Sequence, residues 1–269
     1  MAGTSTVRLR SRAMIGLLLA AGSALVAAFV LAPAALLRGT YGDFDDGAAL
    51  QGAVGRGLVE YWRGGEPQFP ALLGRLVDYW FRWHAIKVVI TSMMLVVFAL
   101  LAVALWRRYL RDAAGYAVGA IGATVFTVLA TGLLIVNIQS TAVPVVALLP
   151  LLAGSAPGSD IDETSREMRE ALTEPAGSPA LTVLLGEVER YHWVMVVVAA
   201  IVLGAIGLAA AALRKRRVPG DARVRFMHRT LTVIMTLTAC LLLLVVTVSV
   251  LSATNPSDAL LAAMGITTG

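Results

Sequence analysis

Five long apolar blocks separated by polar stretches dominate the chain: Met14–Leu37, Ile86–Trp106, Tyr116–Ile138, Trp193–Leu213 and Leu231–Ser252. A membrane helix needs roughly 20 apolar residues, because the hydrocarbon core is about 30 Å thick and a helix rises about 1.5 Å per residue. Each block meets that length. None contains Asp, Glu or Arg, and Lys87 sits at the outer end of the second. The pattern predicts an all-α integral membrane helical bundle of about five transmembrane helices. Residues 14–253 form a single membrane domain, between a basic leader (1–13) and an outer tail (254–269).

The stretches between the blocks predict short helices in two longer loops, Arg38–Ala85 and Gln139–His192. In the first, Asp43-Phe44-Asp45-Asp46-Gly47 precedes a helix over Ala48–Trp62, Gly64-Gly65-Glu66-Pro67 makes a turn, and Pro70–Trp83 leads into the second span. The acids there read as helix caps. Counted as a calcium loop from Asp43, position 6 is Ala48 and position 12 is Val54, where such a loop needs Gly and Glu. In the second loop, Ser159 and the acids after it start a helix, where the dipole favours negative charge. Met168 and Leu172 lie four apart on it, and Glu174-Pro175-Ala176-Gly177 ends it. Ser178-Pro179 then caps a helix over Ala180–Tyr191 that runs into the fourth span. Tyr61, Trp62, Tyr79, Trp80, Trp83, Tyr191 and Trp193 gather near the outer ends and read as an interfacial aromatic belt.

Charge sets the orientation. Arg8, Arg10 and Arg12, then Arg107, Arg108 and Arg111, then Arg214, Lys215, Arg216, Arg217, Arg223, Arg225 and Arg229 place 13 cations in three segments, against Asp112 and Asp221 alone. Five spans put all three segments on one side, which the positive-inside rule makes cytoplasmic. The expected localisation is a multi-pass plasma-membrane protein with its N-terminus cytoplasmic and its C-terminus extracytoplasmic. The first block is longer than a signal-peptide core, and the arginines of the leader before it form no twin pair, so it reads as an uncleaved anchor. Cleavage after the Ala-rich Leu31–Ala35 would leave four spans with the other orientations unchanged.

Composition agrees. Of 269 residues 58% are hydrophobic and 14% charged, against about 25% charged in soluble domains. The net charge of +5 is confined to topology-setting segments and does not imply nucleic acid. The single cysteine, Cys240, excludes a disulfide within the chain, a CxxC centre and a cysteine zinc site. It reads as a small apolar helix residue.

A parallel internal repeat is also legible, over about 70–154 and 179–265. Pro70-Ala71-Leu72 leads to Tyr79-Trp80-Phe81-Arg82-Trp83-His84 and a span ending in Trp106-Arg107-Arg108. Pro179-Ala180-Leu181 leads to Tyr191-His192-Trp193 and a span ending in Arg214-Lys215-Arg216-Arg217. Odd spans exit in a proline element, at Pro144, at Pro256 and, in the same style, at Pro33. Gly115, Gly119 and Gly122 are expected to allow close helix approach, and Thr124, Thr127 and Thr131, with Thr232 and Thr236, to bond to helix backbone or a neighbour. The aromatic-His unit, the Asn137-Ile138-Gln139…Pro144…Leu148-Leu149-Pro150 exit and the Tyr191-His192 start resemble a group of uncharacterised actinobacterial multi-spanning membrane proteins, often labelled only as carrying a Tat signal. The resemblance covers most of the chain from Pro70 onward and implies no activity.

Chemistry is sparse. His84 and His192 occupy equivalent positions in the two copies, so a shared metal or haem, or external pH sensing, is one reading. Interfacial residues beside Trp are the other. His228 lies in a basic segment and reads as a topology or lipid-contact residue. The spans lack the ionisable groups that coupled transport uses, which weakens a small-solute transporter. No GxxxxGK[ST], GxSxG or HExxH element occurs. No catalytic residue and no cofactor is predicted. The second loop holds eight acids and three arginines, net −5. The function expected is a non-enzymatic accessory or interaction protein, presenting acidic outer loops to a membrane or extracytoplasmic protein partner, or to a cation, with the lipid bilayer around it.

Overall fold

The structure, a computed structural model, describes residues 3–44, 46–111, 113–153, 159–173, 177–215 and 221–265, with side chains from Ala13 onward. Asp45, Asp112, Glu174-Pro175-Ala176, Arg216, Arg217, the end of the first repeat copy (154) and residues 266–269 of the tail lie outside them, as do the side chains of Arg8, Arg10 and Arg12.

The described residues form nine α-helices and no strand. They are α1 (Gly3–Tyr41), α2 (Gly47–Gly64), α3 (Ala71–Arg111), α4 (Tyr116–Ala142), α5 (Pro144–Leu148), α6 (Asp160–Ala171), α7 (Pro179–Lys215), α8 (Ala222–Thr254) and α9 (Pro256–Ala263). Five of them, α1, α3, α4, α7 and α8, are long and apolar enough to cross a membrane.

These helices outrun the apolar blocks. The 41 residues of α3 make a rod of about 60 Å at 1.5 Å per residue, twice the hydrocarbon thickness. Its polar N-terminal part stays helical with the help of the Asp78–Arg82 pair, 3.1 Å apart at i,i+4. Likewise α7 runs unbroken from its cap, where the Ser178 hydroxyl accepts from the Leu181 N–H at 3.2 Å. Gly65, at φ 66°, ends α2 and donates to the Trp62 and Tyr61 carbonyls. That left-handed geometry suits glycine, which has no Cβ to clash.

The chain divides into two compact units. The first comprises Met1–Ala32, Lys87–Ile135 and Ala199–Leu244. Of the apolar windows, that of α3 is 44% buried, against 6% for α1 and α7 and 11% for α8. So α3 is the packed rod, and the others leave large side chains such as Leu17, Ile201, Leu208 and Leu237 exposed. Continuous apolar surface of this kind suits lipid and not water.

Packing on α3 is specific. A Cβ at Gly22 of α1 would lie 3.0 Å from Phe98 Cε1, so glycine is what lets the two helices meet. Phe98 stacks on Phe126 of α4 at 5.1 Å between centroids. Trp106 Nε1 donates to Thr124 Oγ1 at 3.1 Å, while the Thr124, Thr127 and Thr131 hydroxyls donate to carbonyls four residues back. Gly115, just before α4, and Gly119 and Gly122 within it work less fully than expected. Only Gly119 faces a neighbour, Leu105 at 3.5 Å, and a Cβ at Gly115 or Gly122 would meet nothing within 4 Å.

The second unit comprises Pro33–Ile86, Val136–Val198 and Val245–Gly269. The hydrophobic core cluster lies wholly within it, joining residues as distant as Tyr41, Leu58, Leu76, Met168, Leu184 and Leu260. The chain leaves α4 and α8 alike: Val143 (φ −139°, ψ 73°) and Asn255 (φ −130°, ψ 66°) each precede a proline at the start of a short helix. A residue before proline is pushed out of the helical region, which breaks the rod there. Pro33 behaves differently from the style expected of it, since it lies inside α1, which continues to Tyr41.

Candidate functional site

The second unit is built from the two long loops, the helix ends that adjoin them and the C-terminal segment. Helix α6 is amphipathic. It buries Thr164 and Met168 and exposes Asp162, Glu163, Glu167 and Glu170. The Ser159 hydroxyl caps it by accepting from the Asp162 N–H at 3.3 Å. The apolar stripe docks on α2, where Trp62 Nε1 donates to Glu167 Oε2 at 2.9 Å and Arg63 pairs with Asp160 at 3.6 Å.

An open groove of about 670 Å³ lies between α2 and α6. Arg56, Glu60 and Arg63 line one wall, Asp160 and Ile161 the other. Arg56, Glu60 and Arg63 follow at i, i+4 and i+7, a polar stripe on a helix whose other face buries Leu50, Val54, Leu58 and Tyr61. That spacing is readable in the sequence, and its place on the wall of a groove comes only from the packing of α6.

The described acids at the entrance to α2, Asp43 and Asp46, do not cap as expected. Asp46 occupies the N-cap position with extended backbone, but its side chain makes no cap hydrogen bond. Asp43 instead pairs with Arg75 of α3 at 3.3 Å, and the same guanidinium lies 5.6 Å from the Phe44 ring centre. Beside them the Tyr41 hydroxyl donates to the Asp78 carboxylate, which also holds Arg82. Together these contacts pin the end of α1 to α3.

The aromatic belt is corrected in part. Tyr61 and Tyr79 are core residues, 2% and 5% exposed. Tyr79 lies 5.5 Å from Tyr41 and 5.4 Å from Phe44, and Tyr61 packs edge-on against Phe69 at 5.1 Å. Trp62, Trp80, Trp83 and Tyr191 pack partly buried against that core, and Trp193 is exposed. The loop helices cover rings that would otherwise face the interface, and burying such large apolar area is favourable. Burial pushes the Tyr61 phenol above its ordinary pKa, with a further push from Glu187.

His84 and His192 both belong to the second unit. His84 Nδ1 is 3.0 Å from the Trp80 carbonyl, so Nδ1 carries the donated proton, and its ring lies 4.8 Å from the Trp80 ring. Trp80 Nε1 is buried and has no acceptor among the described residues. His192 packs edge-on against Tyr191 at 5.5 Å. Among the described residues, no group of three or more His, Cys, Asp or Glu side chains is placed to hold a metal. At the exit from α4, buried Gln139 donates from Nε2 to the Tyr191 carbonyl at 3.1 Å, and the Thr141 hydroxyl donates to the Asn137 carbonyl at 2.7 Å.

No protein-family model, no curated protein and no solved structure matches the chain.

Proposed function

We propose that the chain is a multi-pass plasma-membrane protein, N-terminus cytoplasmic and C-terminus outside, acting as a non-enzymatic accessory or interaction subunit. Its two long loops face outward and present the acidic surface of α6 to a membrane or extracytoplasmic protein partner with a basic face. One observation carries the reading: the loops pack, together with the end of α1 and with Leu260 and Met264 near the C-terminus, around one hydrophobic core. Helices in a bundle are ordinarily joined by roughly 2–8 residues, so a packed unit of capped helices is far more than connection requires. Its exposed residues Asp162, Glu163, Glu167 and Glu170 supply charge complementarity, which steers encounter with a basic partner. The likeness to actinobacterial membrane proteins and the parallel repeat belong to the same proposal.

The test is photo-crosslinking in native membranes from a probe at Glu170. The expected result is one heterologous protein, with the yield falling at least roughly tenfold in the Asp162→Lys/Glu163→Lys variant. Crosslinks only between copies of this chain would overturn it.

The alternative is an outer-face metal, haem or pH-sensing pair at His84 and His192. The His84 Nδ1 contact with the Trp80 carbonyl favours it, since metal-ligating histidines are oriented in this manner. Metal analysis and an absorbance spectrum of the purified chain test it. The leading reading expects no stoichiometric metal or haem and an unchanged crosslink in His84→Ala/His192→Ala, and a bound group lost in that variant would replace it.

A further inference from the structure

Inside the first unit a groove of about 1320 Å³ runs between α7 and α8, larger than the roughly 300–1,000 Å³ of most small-molecule sites. Apolar side chains such as Leu203, Ile206 and Val233 line its length, and Arg214, Arg225, His228 and Arg229 gather at one end. Among the described residues, no Asp or Glu contributes to the lining. The nearby acid at the start of α8, Asp221, accepts from the Arg223 N–H at 2.8 Å.

The groove has a polarity and a length. From Arg229 to Ala239 along α8, and from Arg214 back to Leu203 along α7, the walls extend about 15 Å at 1.5 Å per residue. That is half of a hydrocarbon core about 30 Å thick, the depth of one leaflet. The cations therefore stand at headgroup level when the apolar walls reach the midplane. Thr232 lines the groove one turn deeper than Arg229, at the level of glycerol esters.

The occupant must match both ends. A soluble anion would leave the apolar walls uncovered, and an apolar helix would set apolar surface against Arg214 and Arg229. A zwitterionic lipid would bring its own cation to a cationic mouth. We propose that this groove binds one anionic phospholipid, an acyl chain lying along α7 and α8 and the phosphate among Arg214, His228 and Arg229. Arginine suits that place because its guanidinium fork matches phosphate oxygens. The site is separate from the loop surface, and stands whatever that surface binds.

Native mass spectrometry of the full chain in detergent tests it, with phosphatidylglycerol and phosphatidylcholine of matched acyl chains as probes. The chain is expected to retain one phosphatidylglycerol with at least about tenfold preference. Arg214→Gln/Arg229→Gln should bring the two lipids to parity, and Arg214→Lys/Arg229→Lys should keep most of the preference. Gly207→Leu fills open groove, since a Cβ there meets nothing within 4 Å. It keeps every cation and should abolish retention, so it reads the groove even where the glutamine variant does not fold. Arg107→Gln/Arg111→Gln removes equal charge elsewhere and should change nothing. Equal retention of both lipids by the unaltered chain would overturn the proposal. So would unchanged retention in Gly207→Leu, an equal loss in the Arg107/Arg111 control, or a second copy held in place of lipid.

Discussion

The phenol of Tyr61 donates to the Ala180 carbonyl at 3.3 Å from within the second unit's core. Burial, and then Glu187, raise its pKa above the unfolded value, which is about 10. A raised folded pKa contributes stability that is fully present below the unfolded value and is lost as pH rises through the folded one. Thermal unfolding of the purified chain should therefore weaken at alkaline pH. Tyr61→Phe should show a smaller alkaline loss, and should cost about 0.5–1.5 kcal/mol at neutral pH through the lost hydrogen bond. Identical alkaline limbs would contradict the burial of this phenol. At this scale the sequence was legible where chemistry is local. Ser159 and Ser178 cap helices because a side-chain oxygen reaches an N–H three residues on. It was illegible where partners are remote. Tyr41 and Asp78 are 37 residues apart, no spacing rule connects them, and Asp43 left its local role for an arginine on another helix.

The apolar blocks located five helices, because only an uninterrupted run of that length satisfies its own backbone in lipid. Their true ends were harder to read, since hydropathy ends at the membrane while hydrogen bonding does not. Helix α3 continues through Asp78 and Arg82 as one rod. Which glycines matter was also not readable from spacing, because close approach depends on the partner's face. Gly22 meets Phe98, whereas Gly16 on the same helix meets nothing within 4 Å. Gly22→Leu should destabilise the chain by about 1–3 kcal/mol through overpacking, and Gly16→Leu should be nearly silent. Denaturation in detergent measures both, and equal effects would mean that α1 does not pack on α3 through this face.

For the whole molecule, the clustering of Arg and Lys into three segments predicts an orientation, because translocating those charges is unfavourable. The division into two units was not legible. The core of the second joins Leu37 to Met264, and such contacts leave no periodic trace in a single chain. The proposed role rests on that folded unit lying outside the cell. Thiol labelling in intact cells with a membrane-impermeant maleimide tests this most directly, on a chain whose native Cys240 is replaced by Ala. Gln68→Cys, Thr173→Cys and Ala222→Cys all place the new thiol at an exposed position. The account predicts labelling of Gln68→Cys and Thr173→Cys in intact cells, and of Ala222→Cys only after the membrane is opened. Labelling of Ala222→Cys in intact cells, with Gln68→Cys and Thr173→Cys protected, would contradict it.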